Sequence, residues 1–338
     1  MVASYYLIKP FYSLYWRILN FISPRRETVF YVHSAIDLQN WLPVQKFLAQ
    51  IPLVSDKANT RKELRDMGYR VRPLPVFPKA VIMCRVATHK FPSRKVIKVG
   101  MTHGAYHFKR MPKAENYHPF SLYLFTSPQD LANAEKIGIR IGKVGGYPKL
   151  DPYLPPSSPS PHPKGKKKLL FTATYHASGM SAIQQWLNRL GDLTALYDVF
   201  VSLHPWMDKA IKAQIAALPD VTYVRDNPLP YIAIADVCIV DSSSVIGEIC
   251  ALDKPMISFI LPPSPRSVPE IAQVLDKCSI RIETFAELPA AIERALQAPA
   301  EFQTARSEAN ALFFDCLDGN AGKRSAEHIL KLLPELSL

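Results

Sequence analysis

Between residues 152 and 163 the chain places six prolines in twelve positions, and the stretch continues to residue 168 as PYLPPSSPSPHPKGKKK. Proline fixes φ and lacks a backbone N–H, so no helix interior and no central strand can cross such a segment. It reads as an extended linker, residues 152–168, and it divides 338 residues into two parts of domain size.

The part after the linker has a regular rhythm. Apolar runs at Leu169–Thr174, Tyr197–Leu203, Val221–Arg225, Val237–Asp241 and Met256–Phe259 alternate with helix-like stretches near 181–190, 207–217, 229–235 and 243–252. Continuous apolar strands separated by helices indicate a parallel sheet covered on both faces. The part before it is similar. Strands are expected at Thr28–Val32, Ala80–Cys84, Val96–Val99, Leu122–Thr126 and Lys143–Val144, with helices near 38–49, 57–67 and 128–137. Open α/β sheets bind ligands outside the carboxyl ends of their strands. The polar residues fall there: His33, His103-Gly104, Thr174-Tyr175-His176, His204-Pro205, and Asp241-Ser242-Ser243-Ser244.

These residue types suit anion chemistry. A strand–turn–helix entrance at Asp241–Ser244 would offer free N–H groups and hydroxyls to a phosphate, or the serines would simply cap the helix. Pro205 holds His204 extended, where it would donate to or neutralise a phosphate. His103, beside Gly104, has the ordinary pKa range of a general base. No DxD, HExxH, P-loop or GxGxxG pattern occurs, so neither a fixed metal nor any other cofactor is expected. Five scattered cysteines without C-x-x-C spacing argue against a disulfide framework.

Charge distinguishes the two parts. Residues 1–150 hold 24 Lys and Arg against 8 Asp and Glu, whereas residues 151–338 hold 17 against 21. One basic half suggests an anionic partner, a membrane or a phosphate-rich polymer. Charge alone also permits nucleic acid, but no known nucleic-acid module is visible and none is expected as a partner. Residues 5–22, YYLIKPFYSLYWRILNFI, carry seven aromatic rings and precede Arg25-Arg26. Such rings favour the headgroup layer, so residues 1–26 read either as a membrane-surface anchor or as a first helix packed on the body.

The order of these motifs resembles the CDP-glycerol glycerophosphotransferases that build teichoic-acid and related surface polymers. Thr102-His103-Gly104 stands where that family has aromatic-His-Gly, and Gly146-Tyr147-Pro148-Lys149-Leu150-Asp151 where it has Gly-Asn-Pro-Arg-x-Asp. Thr172-Ala173-Thr174-Tyr175-His176, Ser202-Leu203-His204-Pro205, Val240-Asp241-Ser242-Ser243-Ser244 and Asp318-Gly319 with Arg324 follow in the same order. His176 and Lys149 replace two arginines of the pattern, Ser242 a tyrosine and Thr102 an aromatic residue.

The resemblance implies a GT-B fold, two Rossmann-like domains facing a cleft. An acceptor domain would span 27–151 and a nucleotide-donor domain 169–317. A C-terminal helix within 318–338, read as Ser325–Leu332, would cross back. It implies a CDP-alcohol-dependent phosphotransferase moving glycerol phosphate from CDP-glycerol, or another cytidine-nucleotide donor, to a lipid-linked saccharide or surface polymer. His103 would act as base. His204, Ser243 and Ser244 would hold the diphosphate, and Thr174, His176, Asp241, Ser242 and Glu248 would line the donor site. Gly104, Pro148, Asp151, Asp318 and Arg324 are further motif positions. The implied place is the cytoplasmic face of the inner membrane, held peripherally at its anionic surface. Two alternatives accompany this reading: a GT-B glycosyltransferase using a CMP-sugar or other nucleotide-sugar for capsule or surface polysaccharide, and a non-enzymatic anion- or nucleic-acid-binding protein.

Overall fold

The computed structural model describes residues 2–23, 27–106, 113–156, 165–242, 245–265 and 267–338. The chain divides into two units, one formed by Met1–Pro152 with Phe314–Leu338 and the other by Tyr153–Phe313.

The first unit runs α1 (Val2–Ile22), β1 (Thr28–Tyr31), α2 (Asp37–Gln45), β2 (Leu53–Ser55), α3 (Ala58–Asp66), β3 (Val71–Pro73), β4 (Ala80–Met83), β5 (Ile97–Met101), β6 (Leu122–Phe125), α4 (Pro128–Lys136) and β7 (Gly142–Val144). The seven strands form one parallel sheet in the order β3-β2-β1-β4-β5-β6-β7. Successive strand residues face opposite sides, and both sides of this sheet are apolar. Val29 and Tyr31 join Val81, Met83, Tyr123 and Phe125 on one side, under Tyr12 and Trp16 of α1. Phe30 and Val32 join Ile82 and Val99 on the other, under Leu38, Trp41 and Val44 of α2. The Trp41 ring stacks on Phe30 with centroids 4.5 Å apart.

The second unit runs β8 (Lys167–Ala173), α5 (Ile183–Trp186), α6 (Gly191–Thr194), β9 (Tyr197–Leu203), α7 (Lys209–Ala216), β10 (Val221–Val224), α8 (Leu229–Ile234), β11 (Val237–Val240), α9 (Ile246–Ala251), β12 (Met256–Phe259), α10 (Pro269–Cys278), β13 (Ile280–Ile282), α11 (Leu288–Gln297) and α12 (Gln303–Phe313). Its six strands are parallel in the order β10-β9-β8-β11-β12-β13. The core gathers Leu169, Phe171, Val199, Val201 and Ile239 with Trp186 and Ile292.

α13 (Ala321–Leu332) belongs to the first unit, where Ala326, Ile329 and the following Leu333 enter the same core as α2. The helix begins four residues earlier than Ser325, because Asn320 takes the N-cap position and Asp151 supplies acceptors to its first turn.

Other expectations need correction. β8 begins at Lys167, so two residues assigned to the linker are strand. Residues 157–164 of that linker lie outside the described residues. The stretch near 181–190 is two short helical pieces rather than one helix. The helix expected from residue 243 begins at Ile246 and has six residues.

Residues 5–22 are helical within α1, with one face packed on the first unit and another exposed. Tyr12 and Trp16 are buried, with Tyr12 Oη donating to the Val76 carbonyl at 2.7 Å and Trp16 Nε1 to the Pro78 carbonyl at 2.8 Å. Leu7, Phe11, Leu14, Ile18 and Phe21 are exposed, at 76%, 74%, 59%, 47% and 90%. Their spacing of three and four residues makes one stripe along the helix. Among the described residues, no helix is long and apolar enough to cross a membrane.

Candidate functional site

In the second unit the carboxyl ends of three adjacent strands, β9, β8 and β11, converge on one turn. Asp241 follows β11 and is wholly buried, and its Oδ2 accepts the backbone N–H of Thr174, just past β8, at 2.8 Å. A buried carboxylate needs such donors to offset its lost hydration. The bond therefore fixes the two strand ends together. The His204 N–H donates to the Ala173 carbonyl at 2.9 Å, which attaches the end of β9 to the same place. Ser242 Oγ donates to the Met180 carbonyl at 3.1 Å. Ser243 and Ser244 lie outside the described residues.

His204 is the best-defined group of this edge. Its Nδ1 accepts the Trp206 backbone N–H at 3.0 Å. A neutral ring bound in this way carries its hydrogen on Nε2, as a donor. The ring stands among Tyr175 and Trp206, with centroids 5.0 and 5.4 Å away, and Trp206 is 72% exposed. Sequence reasoning missed Trp206 and did not use Tyr175 for binding. The signal was the run His204-Pro205-Trp206, which puts a large ring one turn residue beyond a candidate ligand.

His176 lies on a 3-10 turn over His176–Ser178 and is exposed. Glu248 is buried in α9, close enough to Tyr153 to raise that phenol's pKa beyond what burial does alone. The short length of α9 and its N-cap at Val245, which makes no side-chain cap bond, weaken the helix-entrance argument for an anion.

In the first unit, His103 and Gly104 follow β5; His103 is exposed. Two other motif positions find each other across 170 residues. Asp151 Oδ1 and Oδ2 accept the N–H groups of Ala321 and Gly322 at 3.1 and 2.6 Å, capping α13. Burial pushes the Asp151 carboxyl upward, and the two N–H donors pull it partly back. Arg324 grips both carboxylate oxygens of Asp318 at 2.8 Å and donates to the Cys316 carbonyl at 3.0 Å. That guanidinium holds the Asp318 carboxyl at about 2. Gly146 has φ +81, and a Cβ there would meet the Ala321 Cβ at 2.8 Å. Pro148 is buried in the 3-10 turn Pro148–Tyr153. Asp151, Asp318 and Arg324 thus seat a helix on the first unit.

Two parallel sheets with their helices define a GT-B-like fold. Neither a family model nor a curated protein matches the chain. Solved structures do. One is a variant of the wall teichoic acid polymerase TagF, at TM-score 0.65 and 13% identity, covering 92% of this chain and 89% of that one. Another is the co-structure of *S. aureus* MnaA with UDP, at TM-score 0.59 and 12% identity over 91% and 97% of the two chains. A glycosyltransferase from *Rickettsia africae* follows at TM-score 0.51 and 14% identity, over 92% and 99%. A TagF variant soaked with CDPG matches at TM-score 0.63 and 13% identity over 97% and 98%. At such identity the likeness establishes the fold, shared with proteins that are enzymes.

Proposed function

We propose that the protein moves glycerol phosphate from CDP-glycerol to a hydroxyl of a lipid-linked saccharide or growing surface polymer, releasing CMP. The observation that carries this reading is that Thr174, His204, Asp241 and Ser242 gather at the ends of the adjacent strands β8, β9 and β11, with Thr174 bound to the buried Asp241 and His204 to Ala173. The likeness to a TagF structure soaked with CDPG supports a cytidine nucleotide as donor.

In the proposed reaction the acceptor oxygen attacks the β-phosphorus of the donor. The bond from that phosphorus to the oxygen of CMP breaks, and His103 takes the hydroxyl proton. His204, through Nε2–H, and the hydroxyls of Ser243 and Ser244 stabilise the charge that develops on CMP. Phosphoryl transfer of this kind depends mainly on positioning and electrostatics. The test is CMP release by the purified protein given CDP-glycerol and an acceptor, with CMP-sugars and UDP-sugars in parallel. Release from CDP-glycerol supports the reading. Turnover of a nucleotide-sugar alone replaces it with a glycosyltransferase, and binding without turnover replaces it with a non-enzymatic role.

The exposed stripe of α1 supports attachment to an anionic membrane surface, on its cytoplasmic face. Lys9 and Arg17 on the same helix would add about 1 kcal/mol each near such a surface. Deleting the helix would also strip Tyr12 and Trp16 from the core, so substitution is the cleaner test. Phe11→Ser with Phe21→Ser should abolish co-sedimentation with anionic vesicles at low salt while the fold survives. Undiminished sedimentation of that variant removes the assignment.

A further inference from the structure

Four neighbouring strands of the first sheet, in the spatial order β2, β1, β4, β5, each carry a basic or imidazole side chain two residues past their last strand residue. β2 ends at Ser55 and Lys57 follows; β1 ends at Tyr31 and His33 follows. β4 ends at Met83 and Arg85 follows; β5 ends at Met101 and His103 follows. Parallel strands put these residues at one edge of the sheet. At about 4.8 Å per strand the row is roughly 15 Å long. His103 stands at one end of it, and nothing above uses the other three.

Those three side chains are held by the fold. Lys57 Nζ donates to His33 Nε2 at 2.7 Å, so that ring is neutral with its hydrogen on Nδ1. Thr60 Oγ1 donates to the His33 carbonyl at 3.2 Å. Asp37, wholly buried, accepts the N–H groups of His33 and Ser34 at 2.8 and 3.2 Å and Arg85 Nε at 3.2 Å. Its carboxylate is thus spent on setting the loop and orienting Arg85, whose side chain remains 31% exposed. Asp56 is occupied by Lys90 and by Tyr31 Oη.

Charge at this edge is left unbalanced. Among the described residues Lys57 has no carboxylate partner, and Arg85 makes no bond from its two terminal nitrogens. Lys57 also stands at the N-cap of α3, which has no side-chain cap bond and no acid in its first turn. Placing a cation at the positive end of a helix is unfavourable unless an anion accompanies it. The groups facing His33 are Lys57, Arg85, Asp37 and Asp56; burial, and then Lys57 and Arg85, hold its pKa below the ordinary value, while Asp37 and Asp56 partly oppose them.

We propose that Lys57, His33 and Arg85 form a second anion site, which takes a phosphate group of the acceptor and presents the adjoining hydroxyl toward His103. Lys57 and Arg85 would supply charge-assisted donors, and the neutral His33 ring would add its Nδ1–H. That the phosphate belongs to the acceptor rests on the transferase reading above; that the edge binds phosphate does not.

Inorganic phosphate and glycerol 3-phosphate are titrated into the full chain with labelled histidine rings followed by NMR. Both should move the His33 ring signals, whereas chloride at matched ionic strength should not. Lys57→Met should weaken binding at least tenfold, and Lys57→Arg should restore most of it. A response confined to His204, a response reproduced by chloride, or an affinity unchanged in Lys57→Met and in His33→Gln would overturn the site. Phosphate bound at His33 without any CMP release from CDP-glycerol would sink the transferase reading and leave the site standing. CMP release without phosphate bound at His33 would do the reverse.

Discussion

Replacing Asp151 by alanine removes the acceptors of two N–H groups at the start of α13, at 3.1 and 2.6 Å. Loss of an N-cap acceptor costs about 0.5–2 kcal/mol, and loss of a negative charge at a helix N-terminus about 0.3–1 kcal/mol more. Burial opposes ionisation of this carboxyl, so part of the gain is already offset in the native state. A net loss of about 2 kcal/mol follows, and Asp151→Asn, which keeps one acceptor oxygen, should lose about half as much. The loss should fall on the first unit, because Ala326, Ile329 and Leu333 share a core with Trp41 and Phe30. For a body of 150–250 residues it corresponds to a midpoint lowered by about 4–8 °C. Hydrogen exchange read by mass spectrometry separates the units: protection should fall in α13 and α2 and stay unchanged in β8 to β12. If instead transfer is lost while first-unit protection is intact, Asp151 touches substrate and the capping argument is wrong.

His103→Ala should lower turnover about 10²–10⁴-fold with donor affinity little changed, measured by CMP release and calorimetry. Trp206→Ala should weaken CMP binding, by about 1–3 kcal/mol if the base stacks on the indole, and leave thermal stability unaltered because the ring is largely exposed. His33, His89 and His328, all in the first unit, have pKa values below 6.5, each mainly through burial. The unfolded chain therefore binds more protons than the folded one below that pH. The stability these rings contribute is complete above about pH 6.5 and is lost as pH falls through it. Midpoints of first-unit unfolding measured between about pH 7.5 and 5.5 should decline, and replacing the three rings with glutamine should flatten that slope.

Much of the architecture was legible because parallel strands buried on both faces are continuous apolar runs. Val237–Val240 and Met256–Phe259 read directly, and Asp241-Ser242 after the first of them fell at a strand end. β2, β3 and β13 were missed, and each has three residues, too few for a period to appear. The helices α10 to α12 also went unread. That Thr174, His204, Asp241 and Ser242 lie at strand ends was legible because the turn after each strand is local in sequence. The partnership of Asp151 with Gly322 was not, since nothing in either neighbourhood encodes the other. Nor did chain order suggest that Lys57, His33, Arg85 and His103 share an edge: β2 lies beside β1 and β4 on its other side, so sequence order and spatial order differ.

The polypeptide leaves the first unit after Pro152 and re-enters it at Phe314, so the second unit is an insertion within the first. Synthesis therefore delivers the parts out of step. Tyr153–Phe313 is contiguous and can fold as soon as it has emerged, whereas the body begun earlier waits for α13 to close its core. At about 5–20 residues per second that wait is roughly 10–40 s. During it, the side of the seven-stranded sheet that α2 covers lacks Ala326, Ile329 and Leu333, and the patch they fill is open to solvent and to other nascent chains. A chain truncated before Ala321 would hold a complete second unit within an incomplete first one.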